Sequence, residues 1–266
     1  MTEYALKLSD AELGRYRFMA ETAARMEADL WAAAGVVAGA VVADVGCGPG
    51  AISAVLARLV GPSGRVVAVD REAGTVEAAR AMVAEAGVDN VSVAVGKAED
   101  TGIEPGKVDV VMIRHVLAHN GPSADAIVSH AASLLRPGGH VYLADIEAGS
   151  FRMRPPSPDL DDLNERYEQW HAQQGNDLSI GLRLGELLRD AGLEDVAHHG
   201  RYMIFVAPPG LQPPAWAARE SLLAAGLATP DDVERWRAAL EQWDRSGPRP
   251  TLYVPLFFAF GRRPVA

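Results

Sequence analysis

Between residues 41 and 146 the chain alternates short, unbroken apolar runs with longer stretches in which apolar residues recur every three or four positions. The runs predict strands at Val41–Val45, Arg65–Asp70, Val91–Val95, Val108–Ile113 and His140–Ile146. The periodic stretches predict helices over Ala51–Val60, Glu72–Ala86 and Ser123–Leu135, with turns at Gly61-Pro62-Ser63-Gly64, Gly87–Asn90 and Arg136-Pro137-Gly138-Gly139. Strands that are apolar at nearly every position are buried on both faces, and helices between them supply the cover. The pattern therefore predicts an α/β fold around a parallel sheet. Such sheets bind ligands beyond the carboxyl ends of their strands, and Asp44, Asp70, Glu99, Arg114 and Asp145 all fall at or near those ends.

Outside this core the pattern is looser. Ser9-Asp10-Ala11-Glu12 reads as a capping box opening a helix to about Ala34, with Leu13, Tyr16, Met19, Ala20, Ala23, Met26 and Leu30 on one side. This helix either packs at the edge of the core or lies over a ligand with Tyr4 and Tyr16. After Arg154-Pro155-Pro156-Ser157-Pro158, helices are predicted over Asp159–Gln174 and Gly181–Ala191, then a strand over Glu194–Val206. A proline-rich segment follows, with helices at Ala215–Ala225 and Pro230–Trp243, the second opened by Thr229-Pro230-Asp231-Asp232. Trp236, Leu240 and Trp243 share one face of it, suited to packing, to a pocket wall or to a homodimer contact. Leu252–Phe260 closes the chain as a strand.

Composition narrows the function. A net charge of −10 with scattered basic residues argues against a nucleic-acid or anionic-membrane surface. The single cysteine, Cys47, excludes an internal disulfide and reads as a small apolar filler, and no metal site is expected. No stretch reaches the ~18 continuous apolar residues of a membrane span, and no leader pattern opens the chain. The expectation is a cytoplasmic protein.

The chemistry concentrates at Asp44-Val45-Gly46-Cys47-Gly48-Pro49-Gly50, where a strand passes into a helix through glycines at alternate positions. Glycine brings backbone N–H groups close to a ligand. Gly46-x-Gly48-x-x-Ala51 fits the form of a dinucleotide loop, and a nicotinamide-dependent oxidoreductase is one reading. Asp44 argues for another: a carboxylate beside a pyrophosphate is repelled by about 1 kcal/mol even in water, whereas one beside an ammonium is attracted.

This stretch resembles motif I of the class I S-adenosylmethionine-dependent methyltransferases, and the resemblance extends over Val41–Ile146, nearest the ubiquinone and menaquinone biosynthesis type. It implies a Rossmann-like sheet, mostly parallel with an antiparallel C-terminal strand, helices on both faces and a helical cap. It further implies one methyltransferase domain over 1–266: a helix in 1–36, the cofactor-binding core in 37–150, cap segments in 151–192 and 208–250, and a final strand in 251–266. The implied cofactor is S-adenosyl-L-methionine, contacted by Asp44, Gly46, Cys47, Gly48 and Gly50. Asp70 resembles the acid that takes both ribose hydroxyls, and Arg71 would lie over the adenine. In Gly96-Lys97-Ala98-Glu99-Asp100, Lys97 stands where the family usually has Asp, so the adenine edge falls to Ala98 and Glu99. Arg114-His115-Val116-Leu117 resembles the segment beside the methionine part.

The implied reaction moves a methyl group to an O, N or C acceptor on a small organic molecule. A base is needed only where the acceptor holds a proton of high pKa, and His115 and His119 are the candidates, since an imidazole titrates near ~6.5. Tyr16, Asp145, Glu147, Tyr167, Trp170 and His171 are candidate acceptor contacts. A protein that binds the cofactor without methylating is the remaining alternative.

Overall fold

The computed structural model describes residues 10–245 and 249–265. In chain order the elements are α1 (Asp10–Met26), α2 (Ala28–Ala33), β1 (Val41–Val45), α3 (Ala51–Val60), β2 (Arg65–Asp70), α4 (Ala73–Glu85), β3 (Val91–Val95) and β4 (Val108–Arg114). Then come α5 (Ala124–Leu134), β5 (Leu135–Ile146), β6 (Arg152–Arg154), α6 (Pro158–Gln173), α7 (Leu184–Asp190), β7 (Glu194–Val206), α8 (Pro214–Ala217), α9 (Arg219–Ala224), α10 (Pro230–Arg245) and β8 (Thr251–Arg262).

All eight strands join one sheet in the order β3-β2-β1-β4-β5-β8, with β7 along the far side of β8 and the short β6 pairing with its first residues. The first five strands are mutually parallel, and β8 is antiparallel to β5, β6 and β7. Strand alternation sends Ala43, Val45, Val111 and Ile113 to one face, against α5 and α7. It sends Val42, Val110 and Met112 to the other, against Trp31 and Leu56. The order reverses between β1 and β4, so the crevice beside the glycine loop is the switch point of the sheet.

Several expectations need correction. The turn foreseen at 136–139 is absorbed into β5. Gly138 and Gly139 exchange hydrogen bonds with Arg263, and Asp109 approaches so closely that a Cβ on Gly139 would lie 2.7 Å from its carbonyl oxygen. The first helix is two helices, broken at Glu27, and the helix foreseen at 215–225 is likewise two. Tyr4 and the Ser9 cap lie outside the described residues. Tyr16 is half-buried and packs with Ala20, Ala51 and Met82, where α1 lies across α3 and α4.

The segment between β7 and β8 folds onto α6. Trp216, Leu222, Val233 and Trp236 share a cluster with Met153, Leu160 and Leu163. Trp236 is fully buried and its indole N–H donates to Asp162 at 3.0 Å, so this side chain is core, neither pocket wall nor dimer contact. The foreseen start of α10 is a reciprocal cap: Asp232 N–H donates to the Thr229 hydroxyl, and Thr229 N–H donates to the Asp232 carboxylate.

Candidate functional site

The glycine loop is closed by its own bonds. Gly46 and Cys47 both donate N–H groups to the Val69 carbonyl at 2.8 and 3.0 Å, Gly48 N–H donates to Asp70 Oδ2 at 2.9 Å, and Gly50 N–H to the Cys47 carbonyl at 3.1 Å. The sequence led us to expect bare amides here, as an anion cradle would need. The structure bonds these four amides internally, which weakens the case for a pyrophosphate seated on them. Gly46 has φ +74°, and a Cβ there would stand 2.4 Å from Val116 Cγ2; at Gly48 the corresponding space is open. Cys47 turns its thiol into a small cluster with Ala68 and Ala79, and burial raises its pKa, so its side chain is the foreseen filler.

Asp44 lies deeper than expected. It is 3% exposed, and the Ser53 hydroxyl on α3 donates to it at 2.6 Å. Burial pushes its carboxyl up to about 6; the Ser53 bond and the charge of Arg114 oppose the shift, and Asp70 adds to it. Asp70 at the end of β2 is half-buried, one oxygen on Gly48 N–H and the other on Glu72 N–H at 3.1 Å. Both bonds fix the carboxylate beside the loop and leave each oxygen acceptor capacity. Arg71 is exposed, paired with Glu72 at 3.4 Å and reaching Asn120 Oδ1 at 3.5 Å across the crevice. Ala98 and Glu99 form the tip of a tight turn closed by Lys97 and Asp100. Ala98 is half-buried and Glu99 exposed.

At the end of β4, Arg114 is paired with Glu27, a residue the sequence did not single out. The apolar stripe of Ala20, Ala23, Leu30 and Trp31 runs straight through position 27, and a carboxylate on a buried stripe was the available signal. His115 follows in a left-handed conformation (φ 55°), its N–H on the Ala144 carbonyl at 2.8 Å. Its Nδ1 is 4.0 Å from Asp145 Oδ1, too far for a hydrogen bond. Burial, then Arg114, then His119 push the imidazole down to about 3, so His115 is neutral at pH 7 and a weaker base than expected. Asp145 is 1% exposed. Its carboxylate takes Ala118 N–H at 3.1 Å and Ile146 N–H at 2.9 Å, and burial raises it to about 6.

The structure brings His119, Tyr167, Trp170 and His171 together. The His119 and His171 rings are 5.1 Å apart, and His171 sits edge-on between Tyr167 at 4.5 Å and Trp170 at 4.8 Å. Burial lowers both imidazoles, His171 to about 4. His171 Nδ1 meets Asn176 Nδ2 at 3.0 Å, while its Nε2 is buried without a hydrogen-bond partner among the described residues. Glu147, beyond β5, receives the Ser179 hydroxyl at 3.4 Å on one oxygen, and its other oxygen is buried and unbonded among the described residues. Next to them, Glu168, Asn176, Asp177 and Ser179 line a cavity of about 300 Å³.

Comparison with known proteins adds the following. A family model described as a methyltransferase domain matches residues 37–192. The chain is 40% identical over 111 residues to a ubiquinone biosynthesis O-methyltransferase of Xanthomonas euvesicatoria pv. vesicatoria, covering 41% of this chain and 44% of that protein. It is 40% identical over 100 residues to the nocamycin O-methyltransferase of Saccharothrix syringae, covering 38% of this chain and 35% of that one. The matches thus span less than half the length of these relatives. Among solved structures, a SAM dependent methyltransferase from Aquifex aeolicus shares the fold with a TM-score of 0.50 and 20% identity, over 70% of this chain and 91% of that one.

Proposed function

The chain belongs to the methyltransferase-domain family, and from that membership we propose that it transfers the methyl group of S-adenosylmethionine to a small organic acceptor. The observation that carries the reading is Asp70, whose carboxylate is pinned by Gly48 N–H at the switch point of the sheet while each oxygen keeps acceptor capacity. A pair of vicinal hydroxyls suits that carboxylate, a pyrophosphate does not, and the internally bonded loop amides disfavour the nicotinamide alternative.

When bound, the cofactor supplies an already activated methyl group. The work left to the protein is alignment and exclusion of water. Asp70 would take the ribose, with Gly46, Cys47, Gly48 and Gly50 shaping the floor, and Arg71, Ala98 and Glu99 the adenine side. Residues 151–192 and 208–250 would cover the acceptor, with Tyr167, Trp170, His171 and Glu147 facing it. The buried, unbonded atoms His171 Nε2 and Glu147 Oε2 support a polar group on that acceptor, since such atoms are costly to leave unmet. His119 and His171 are held neutral and can accept a proton or a hydrogen bond there. Both O- and N-acceptors suit this lining.

Calorimetry with S-adenosylhomocysteine and with NADH tests the reading. Binding of the first without the second is expected, and the reverse overturns it. Asp70→Ala should weaken S-adenosylhomocysteine at least about tenfold, since each hydrogen bond to a charged group is worth about 1.5–3 kcal/mol. Unchanged affinity would remove Asp70 from the ribose role. Products one methyl group heavier separate transfer from cofactor binding without methylation.

A further inference from the structure

Glu27 occupies the break between α1 and α2 and is 1% exposed. Its Oε2 accepts from Tyr142 O–H at 2.8 Å, Trp31 Nε1–H at 3.0 Å and Arg114 Nε–H at 3.3 Å, and its Oε1 accepts from Arg114 Nη2. Arg201 on β7 fixes the same break by donating to the Met26 carbonyl and to Asp29. Taking a carboxylate and a guanidinium out of water costs several kcal/mol per ion, and well-packed apolar residues would often serve stability as well or better. Packing alone therefore does not account for the pair.

Its location does. Arg114 ends β4 on the sheet face that carries Val110 and Met112, and Asp44 is the register partner of Met112 on the adjacent β1. The charge of Arg114 is felt by Asp44, and the side chain keeps 11% exposure. Glu27 takes the Nε–Nη2 edge of the guanidinium, which leaves the Nη1 side of the planar fork unused among the described residues. A carboxylate and a guanidinium thus lie on one face of adjacent strands at the switch point, the complement of the ammonium and carboxylate of an α-amino acid.

We propose that Glu27 is a positioning residue, holding the Nη1 side of Arg114 toward the carboxylate of the cofactor's amino-acid end while Asp44 faces its ammonium. The inference rests on the methyltransferase reading above. It assigns the amino-acid end to a paired arginine on β4 and gives the buried acid of the broken helix a task.

The test measures binding of S-adenosylhomocysteine and of 5′-methylthioadenosine, which lacks the amino-acid end, together with thermal melts. The proteins are wild type, Glu27→Gln, Arg114→Met and the double variant. Each single variant should weaken S-adenosylhomocysteine by about tenfold, as expected for loss or misplacement of a charge-assisted pair, and leave methylthioadenosine unchanged. The double variant should recover the melting temperature, because no unpaired buried charge remains, yet not the S-adenosylhomocysteine affinity. Equal losses for both ligands, or recovery of affinity in the double variant, would make the pair purely structural and overturn the proposal. Wild type binding neither ligand would overturn the methyltransferase reading, and this assignment with it.

Discussion

The loop edge of the sheet and the cap above it are held by different means. At the loop edge, two of the carboxylates answer to backbone: Asp70 to Gly48 and Glu72 N–H, Asp145 to Ala118 and Ile146 N–H. In the cap, side chains answer to one another. Arg235 bonds Asp159 and Asp232 at 2.6 Å, Arg166 bonds Asp162 at 2.8 Å and Asp232 at 3.2 Å, and Arg166 lies over the Trp236 ring. A backbone partner cannot be substituted away, so these two carboxylates stay held whatever side chains surround them. A network of side chains can be exchanged piece by piece, a freedom that the proposed acceptor-facing role would use. These cap pairs range from half-buried to exposed, so the network contributes less than its number of contacts suggests, and Trp236 contributes more.

The largest expected effect tests whether the halves are separable. Trp236→Ala should destabilise the protein by about 3–5 kcal/mol, as for other buried aromatics, with S-adenosylhomocysteine affinity within about twofold of wild type. Denaturant melts and calorimetry read the two quantities, and a parallel loss of affinity would show one unit instead of two. Next, Gly46→Ala should cost about 3 kcal/mol, from left-handed strain plus the clash with Val116, whereas Gly48→Ala should cost only the strain, about 1–2 kcal/mol. Equal melts for the two variants would contradict the close approach at Gly46. The smallest effect is in pH. Asp44 titrates near 6 in the unliganded protein, and a ligand ammonium favours its ionised form. S-adenosylhomocysteine affinity should therefore rise as the pH climbs toward 6, by at most about tenfold per pH unit, and level off above. The matching stability penalty is absent below about pH 4 and complete above about pH 6, because the folded carboxyl is harder to ionise than the unfolded one. Asp44→Asn should flatten the affinity profile. Asp145, also raised to about 6 but with both oxygens held by backbone amides, should leave affinity unmoved and appear only in stability.

What the sequence revealed follows the same division. Val41–Val45, Arg65–Asp70 and Val91–Val95 could be bounded in advance, because short apolar runs between turn residues are local signals, and Ala51–Val60 could be bounded by its helical period. The strand β6 has no such pattern; three residues, Arg152–Arg154, are ordered only by pairing with β8 about a hundred positions later. The break at Glu27 and the continuation of β5 through Pro137-Gly138-Gly139 likewise depend on distant partners. In the site, the types and strand-end positions of Asp44 and Asp70 were readable. That Asp145 is occupied by the 117–118 backbone, that Arg114 is paired with Glu27, and that His115 loses its basicity were not, since each depends on a neighbour brought in by the fold.

One feature of the sheet bears on how such a chain diversifies. Val206 pairs directly with Thr251, and Ala207 N–H meets the Pro250 carbonyl, so the intervening segment departs and returns through a gate two residues wide. The β7–β8 ladder is complete without it. Residues 208–249 are therefore a cassette: they can be lengthened, shortened or grafted from elsewhere at the cost of closing one loop, a cost that grows only slowly with length. The condition on any replacement is that it re-cover Met153, Leu160 and Leu163.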